Sequence, residues 1–196
     1  APEVGWTPSP NLLVNGDFSQ GTVGWNYPAG CFSLDPAMAA PDGSASLLFN
    51  QPATCMNGGT PVALNKGTAK GGLIYTLGGQ IKTKDITSTN TKAGVRIALT
   101  GAGATATFTG TNDWTPQTLQ HVVVPPGLTS ALRLQTYGYP LPSGQAWFAE
   151  LSLQQELPPP LRTFLLYPNY RGLMFSDGPQ RASFDLSVNP PAGTTM

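Results

Sequence analysis

Apolar residues in this chain recur at every second position in short runs, and each run is cut off by glycine, proline, asparagine or aspartate before a helical spacing can develop. Val95, Ile97 and Leu99 form one such series, and Leu132 and Leu134 another. The runs at 12–18, 45–50, 73–84, 94–100, 104–109, 117–124, 131–138 and 146–154 read as strands. No amphipathic helical pattern lies between them. Many short strands without crossover helices predict an all-β chain, an antiparallel sandwich or barrel rather than a parallel sheet.

Composition narrows the partners. Ten Lys plus Arg balance ten Asp plus Glu, so no basic stripe is expected and nucleic acid is not an expected partner. With 23 Gly and 20 Pro the chain is rich in turn formers, and neutral polar groups carry its solubility, a style that suits a secreted, extracellular protein. No run of apolar residues is long enough for a membrane span, and no export signal opens the chain, so a mature, monomeric secreted fragment is expected. Cys31 and Cys55 both sit in loop-like sequence, where they read either as a disulfide closing a loop or as two reduced thiols; the secreted composition favours the bridge. One histidine, His121, is too few ligands for a structural zinc site.

Three segments are expected along the chain. Residues 1–10, with Pro2, Pro8 and Pro10, read as a linker, and 11–155 as the module itself. From 156 to 196 the chain passes through a triple proline into a strand-forming tail, where Ala182, Phe184, Leu186 and Val188 alternate with polar positions. A lone strand cannot bury its face, so the tail either packs on the module or begins a following domain.

The stretch Asn11-Leu-Leu-Val-Asn-Gly-Asp-Phe, followed by Trp25, joins an apolar run, a turn dipeptide and two aromatics in one order. It resembles the opening strand of carbohydrate-binding modules of families 4, 9, 16 and 22. Further segments resemble the same group in the same order: Asp42-Gly-Ser-Ala-Ser-Leu-Leu-Phe, the strand from Tyr75 to Lys84, Asp113-Trp-Thr-Pro-Gln and the closing Ala146-Trp-Phe-Ala-Glu-Leu-Ser-Leu. The resemblance implies a β-jelly-roll sandwich and non-catalytic binding of a polysaccharide, β-glucan or xylan, as an accessory module of a larger secreted glycoside hydrolase. Its competitor is a spacer sandwich that binds nothing and stabilises a catalytic neighbour. No catalytic constellation stands out: a Ser-His-Asp arrangement would have to use His121 inside a strand-like run, and nothing in the spacing selects a carboxylate pair.

Sugars are gripped by aromatic platforms flanked by amides and charged donors. Alternation turns Arg96 outward from Val95, Ile97 and Leu99, turns Arg133, Gln135 and Tyr137 outward from Leu132 and Leu134, and turns Gln80 and Lys82 outward on their strand. These residues are candidates for ligand contact or for a plain solvated face, because the pattern does not say which sheet is concave. Among aromatics, Trp25 and Tyr27 in a Gly-Pro loop and Tyr137 and Tyr139 before Pro140 are the binding candidates, while Phe18, Trp114 and Trp147 are expected to pack in the core. The resemblance also implies a structural Ca²⁺ between the opening and closing strands. Here Ser19 and Ala149 stand where that group places carboxylates, which weighs against the ion and leaves Asp17 and Glu150 as the remaining candidate ligands; no other cofactor is expected.

Overall fold

The computed structural model describes residues 6–50, 61–90, 92–138, 142–158, 161–167 and 183–188, and among them it contains strands and no helix. The strands are β1 (Thr7–Pro8), β2 (Trp25–Asn26), β3 (Phe32–Asp35), β4 (Ser46–Asn50), β5 (Val62–Lys70), β6 (Ile74–Thr87), β7 (Gly94–Leu99), β8 (Gly103–Ala104), β9 (Gly110–Val123), β10 (Thr129–Tyr137), β11 (Ser143–Leu157), β12 (Leu161–Tyr167) and β13 (Ser183–Val188). One sheet runs β3-β4-β11-β6-β9, with β1 added on β11; the second runs β2-β5-β10-β7-β8. The registered pairs are antiparallel throughout.

The two sheets share one core. Leu47, Phe49, Leu77, Ile81, Phe148 and Leu153 come from the first sheet and Ala63, Val95, Ile97, Leu132 and Leu134 from the second, all at 1% exposure or less. The sheets meet closely at Gly79, where a methyl group would lie 2.6 Å from Leu151 Cδ2 and 3.0 Å from Ile97 Cδ1. Tyr75, buried on β6, accepts a hydrogen bond from Lys70 N and donates to Lys70 O, tying the first sheet to the end of β5. Its hydroxyl is thereby satisfied inside the apolar interior.

The opening segment departs from expectation. Residues 12–18 form no strand: Asn15 at φ 54 and Phe18 at φ 56 turn the chain out of the extended region. Instead the segment is a strap across one edge of the sandwich, held by amide side chains. Asn11 Nδ2 donates to Leu151 O while its Oδ1 accepts from Leu13 N and Leu153 N. Asn65, 3% exposed on β5, accepts from Val14 N and Gly67 N and donates to Val14 O. Glycine is required where the strap touches each sheet, since a Cβ on Gly16 would lie 2.3 Å from Leu151 O and one on Gly67 would lie 2.2 Å from Leu12 O.

Other differences have similarly local causes. Strand β5 escapes the hydrophobic pattern because its inward residues are Ala63, Asn65, Gly67 and Ala69, three of them too small and one polar. Strand β3 is short and mixed, and the run at 104–109 contributes only the end of β8 and a bridge from Phe108 to Val95. Within the stretch read as a linker, Ser9 N donates to Gln155 O and Ser9 Oγ accepts from Gln155 N, so this part of the chain lies along β11.

The chain divides into two units, Pro8–Glu156 and a second one made of Ala1–Thr7 with Leu157–Met196. In the second, β12 pairs antiparallel with β13 from Leu161 opposite Val188 to Tyr167 opposite Ser183, so the alternating strand of the tail finds a partner inside the tail. Cys31 is 2% exposed in the sandwich. Cys55 lies outside the described residues.

Candidate functional site

The outer face of the second sheet is built by register. Leu134 stands opposite Ile97, and both are buried, so the residues next to each of them along its strand point the other way. Gln135 on β10 is opposite Arg96 on β7, and Val62 on β5 is opposite Gln135 from the other side. In the next outward row Arg133 lies between Leu64 and Ala98, with Asn26 of β2 beyond Leu64. Tyr137 closes the face opposite Gly94. Four of the residues selected from sequence, Arg96, Arg133, Gln135 and Tyr137, are therefore neighbours.

Their packing is specific. Arg96 Cζ lies 3.6 Å from the centroid of the Tyr137 ring, a cation on an aromatic face, and Tyr137 as a residue is 42% exposed. Burial lowers the pKa of the Arg96 guanidinium; Tyr137 acts in the opposite sense, and the like charge of Arg133 adds to the lowering. Arg96 Nε and Arg133 Nε are shielded from solvent and have no hydrogen-bond partner among the described residues. Neither arginine forms an ion pair with a described residue. The face thus combines an exposed tyrosine with two half-buried guanidinium groups, while the Gln135 amide beside them is only 5% exposed.

The remaining candidates are placed elsewhere. Trp25 is corrected from loop aromatic to core residue: it is 7% exposed, packs on Phe18 at 5.3 Å between centroids and donates from Nε1 to Asn15 O. Tyr27 packs at 5.8 Å on Phe32, which meets Phe49 at 5.3 Å, so its ring continues the core. Gln80 belongs to the other sheet, opposite Ala149, and donates to Glu150 Oε2 with its own Oε1 buried and unpartnered. Tyr139 lies outside the described residues. Asp17 accepts from the backbone and hydroxyl of Ser19, whereas Glu150 accepts from Asp42 N and Gln80. Each of these carboxylates thus has its own local partners, and among the described residues no group of three His, Cys, Asp or Glu side chains gathers to hold a metal ion.

The first sheet also presents an outer face, which alternation alone misassigns. Parity with Leu151 and Leu153 predicts Trp147 inside. In the structure Ala146 and Phe148 are the inward pair, and a register shift between Ala149 and Ser152, with Glu150 at φ 50, resets the phase before Leu151. Trp147 is buried as expected, at 5% exposure, but on the outer side of the sheet: it stands opposite Lys82 and donates from Nε1 to Asp35 Oδ2. Trp114 is outward as well: its neighbour Thr115 is the residue opposite buried Ile81, and its Nε1 donates to Ala39 O. A cavity of about 350 Å³ opens on this face between Trp147, Met38 and the Lys82–Asp113 ion pair. Lys82 was legible in the sequence as an outward residue, but Trp147, which lines the cavity beside it, was hidden by the bulge.

Comparison with models of protein families finds no match, and no curated protein matches. Solved structures do match. A family 16 carbohydrate-binding module superposes with a TM-score of 0.54 at 19% identity, over 73% of this chain and 99% of the other. The chain has the fold of a carbohydrate-binding module. An arabinose-bound family 51 α-L-arabinofuranosidase gives a TM-score of 0.52 at 18% identity, covering 74% of this chain and 26% of that one. The enzymatically active domain of bacteriophage CBA120 tailspike protein 4 gives 0.50 at 13% identity, again over 74% of this chain and 21% of the other. The jelly-roll module is thus matched whole by an isolated binding module and as a part by larger chains.

Proposed function

We propose that the sandwich binds polysaccharide, without catalysis, through the outer face of the β2-β5-β10-β7-β8 sheet. One observation carries the reading: Tyr137, Arg96, Arg133 and Gln135 share a single face, with the Tyr137 ring steadied by Arg96 and still open to solvent. A sugar ring has an apolar C–H face edged by hydroxyls, and an exposed ring beside an amide and cationic donors offers the complementary surface. The fold shared with a family 16 carbohydrate-binding module supports the reading. In a longer parent protein the module would hold an appended glycoside hydrolase on plant or microbial polysaccharide.

Affinity electrophoresis of the whole chain tests this against gels containing soluble β-glucan, xylan and pectin. Retardation on at least one is expected, and Tyr137→Ala is expected to weaken it roughly twofold to twelvefold, the effect of an aromatic contact worth about 0.5–1.5 kcal/mol. Tyr27→Ala serves as the contrast, since that ring packs on Phe32. Unhindered migration in every gel would favour the spacer reading instead.

A further inference from the structure

The ionisable residues of the two sheets are segregated. Strands β2, β5, β7, β8 and β10 carry Lys66, Lys70, Arg96 and Arg133 and no acid. The strands of the other sheet carry Asp35, Asp85, Asp113, Glu150 and Glu156 against Lys82 and Lys84. A chain of zero formal charge therefore has one sheet whose charges are all positive. Such a field attracts anions but does not by itself define a ligand.

Local geometry narrows the choice. Arg96 and Arg133 stand on adjacent strands in diagonal register, Arg133 opposite Ala98 and Arg96 two residues before it. That spacing places their stems about 7–8 Å apart. Both are partly withdrawn from water, both have a shielded Nε without an acceptor among the described residues, and no described carboxylate pairs with either. Stacking on Tyr137 restrains Arg96 and leaves less side-chain freedom to lose on binding. Two like charges held together in this way repel one another in the free protein, and an anion between them removes that cost. A neutral glycan brings hydroxyl acceptors but no charge. A carboxylate brings two coplanar oxygens that match the arginine fork.

We infer that the glycan taken by this face is a uronate polysaccharide, its carboxylates meeting Arg96 and Arg133 while a sugar ring lies against Tyr137. The inference rests on the carbohydrate-binding reading above and specifies its ligand class. Polygalacturonate provides a matched probe, because methyl esterification removes the charge and keeps the chain. In affinity electrophoresis of the whole protein, de-esterified polygalacturonate should retard migration and the fully methyl-esterified polymer should not. Arg96→Lys and Arg133→Lys keep the charge and remove the fork, so each should weaken retardation about tenfold while unfolding at the temperature of the parent.

Equal retardation by both polymers, or retardation by neutral β-glucan alone, would overturn the uronate inference and leave carbohydrate binding standing. Migration unaltered by any polysaccharide would overturn both. Dextran sulfate retarding as strongly as polygalacturonate at about 0.15 M salt would replace carboxylate recognition with general attraction to polyanions. Undiminished binding by both lysine variants would equally remove the bidentate contact.

Discussion

Asn65 shows how one buried amide can replace a stretch of sheet. Its side chain satisfies Val14 N, Val14 O and Gly67 N, backbone groups that a regular ladder would otherwise have to pair. Replacing it with alanine leaves them unpaired in a site that is 3% exposed. Asn65→Ala should therefore cost about 2 kcal/mol and lower Tm by about 4–8 °C, read by thermal unfolding followed by circular dichroism. An unchanged Tm would mean that the strap is held by Asn11 and backbone contacts alone. The sequence marks Asn11, Asn15, Gly16 and Trp25 as a group, and in the structure that group builds the strap. Asn15 Nδ2 donates to Gly21 O and Val23 O, and Trp25 donates to Asn15 O. Trp25 was legible as special but not as buried, because its contact with Phe18 depends on the turn made at Asn15 and Phe18.

At the scale of elements, the end of β11 is fastened across its neighbours by Glu156. Its Oε1 accepts from Thr76 Oγ1 on β6 and from His121 N on β9, and its Oε2 pairs with His121 Nδ1 at 2.8 Å. Burial raises the pKa of this carboxyl, but hydrogen bonds from the His121 backbone, Thr76 and the His121 side chain outweigh it, with the charge of His121 acting in the same sense; the net direction is downward. A folded-state pKa below the unfolded one means that the contribution to stability is complete above the unfolded value and is lost as pH falls through the folded one. Glu156→Gln should thus lower stability near neutral pH and flatten its fall on the acid side, as followed by urea unfolding between about pH 7 and pH 3. A parallel fall in parent and variant would remove Glu156 as a contributor. Alternation read the direction of these residues on β7 and β10 correctly because the ladder between those two strands is continuous from Leu132 to Tyr137. It failed on β11 because one bulge inverts every later position, and a bulge leaves no fixed mark in a single sequence.

At the scale of the molecule, the sandwich has a core of its own drawn from both sheets, and the division of the chain falls at Glu156. A chain ending at Pro158 should therefore fold cooperatively and keep the parent's retardation on polysaccharide. Loss of the unfolding transition on truncation would show that the segment from Leu161 onward is needed for the fold. The alternating runs and their Gly and Pro boundaries determined an antiparallel all-β fold without reference to tertiary contacts, because period two and turn chemistry are local properties of the chain. They also determined which way Arg96, Arg133, Gln135 and Tyr137 point. Composition could report only that charge sums to zero. Tertiary structure decided that the acids carried by the strands of the sandwich fell in one sheet, that Gln80 was separated from the arginines, and that Tyr137 came to rest beneath Arg96. Strand order sets these relations, and strand order follows from which faces can be buried together across distant parts of the chain rather than from any local run of residues.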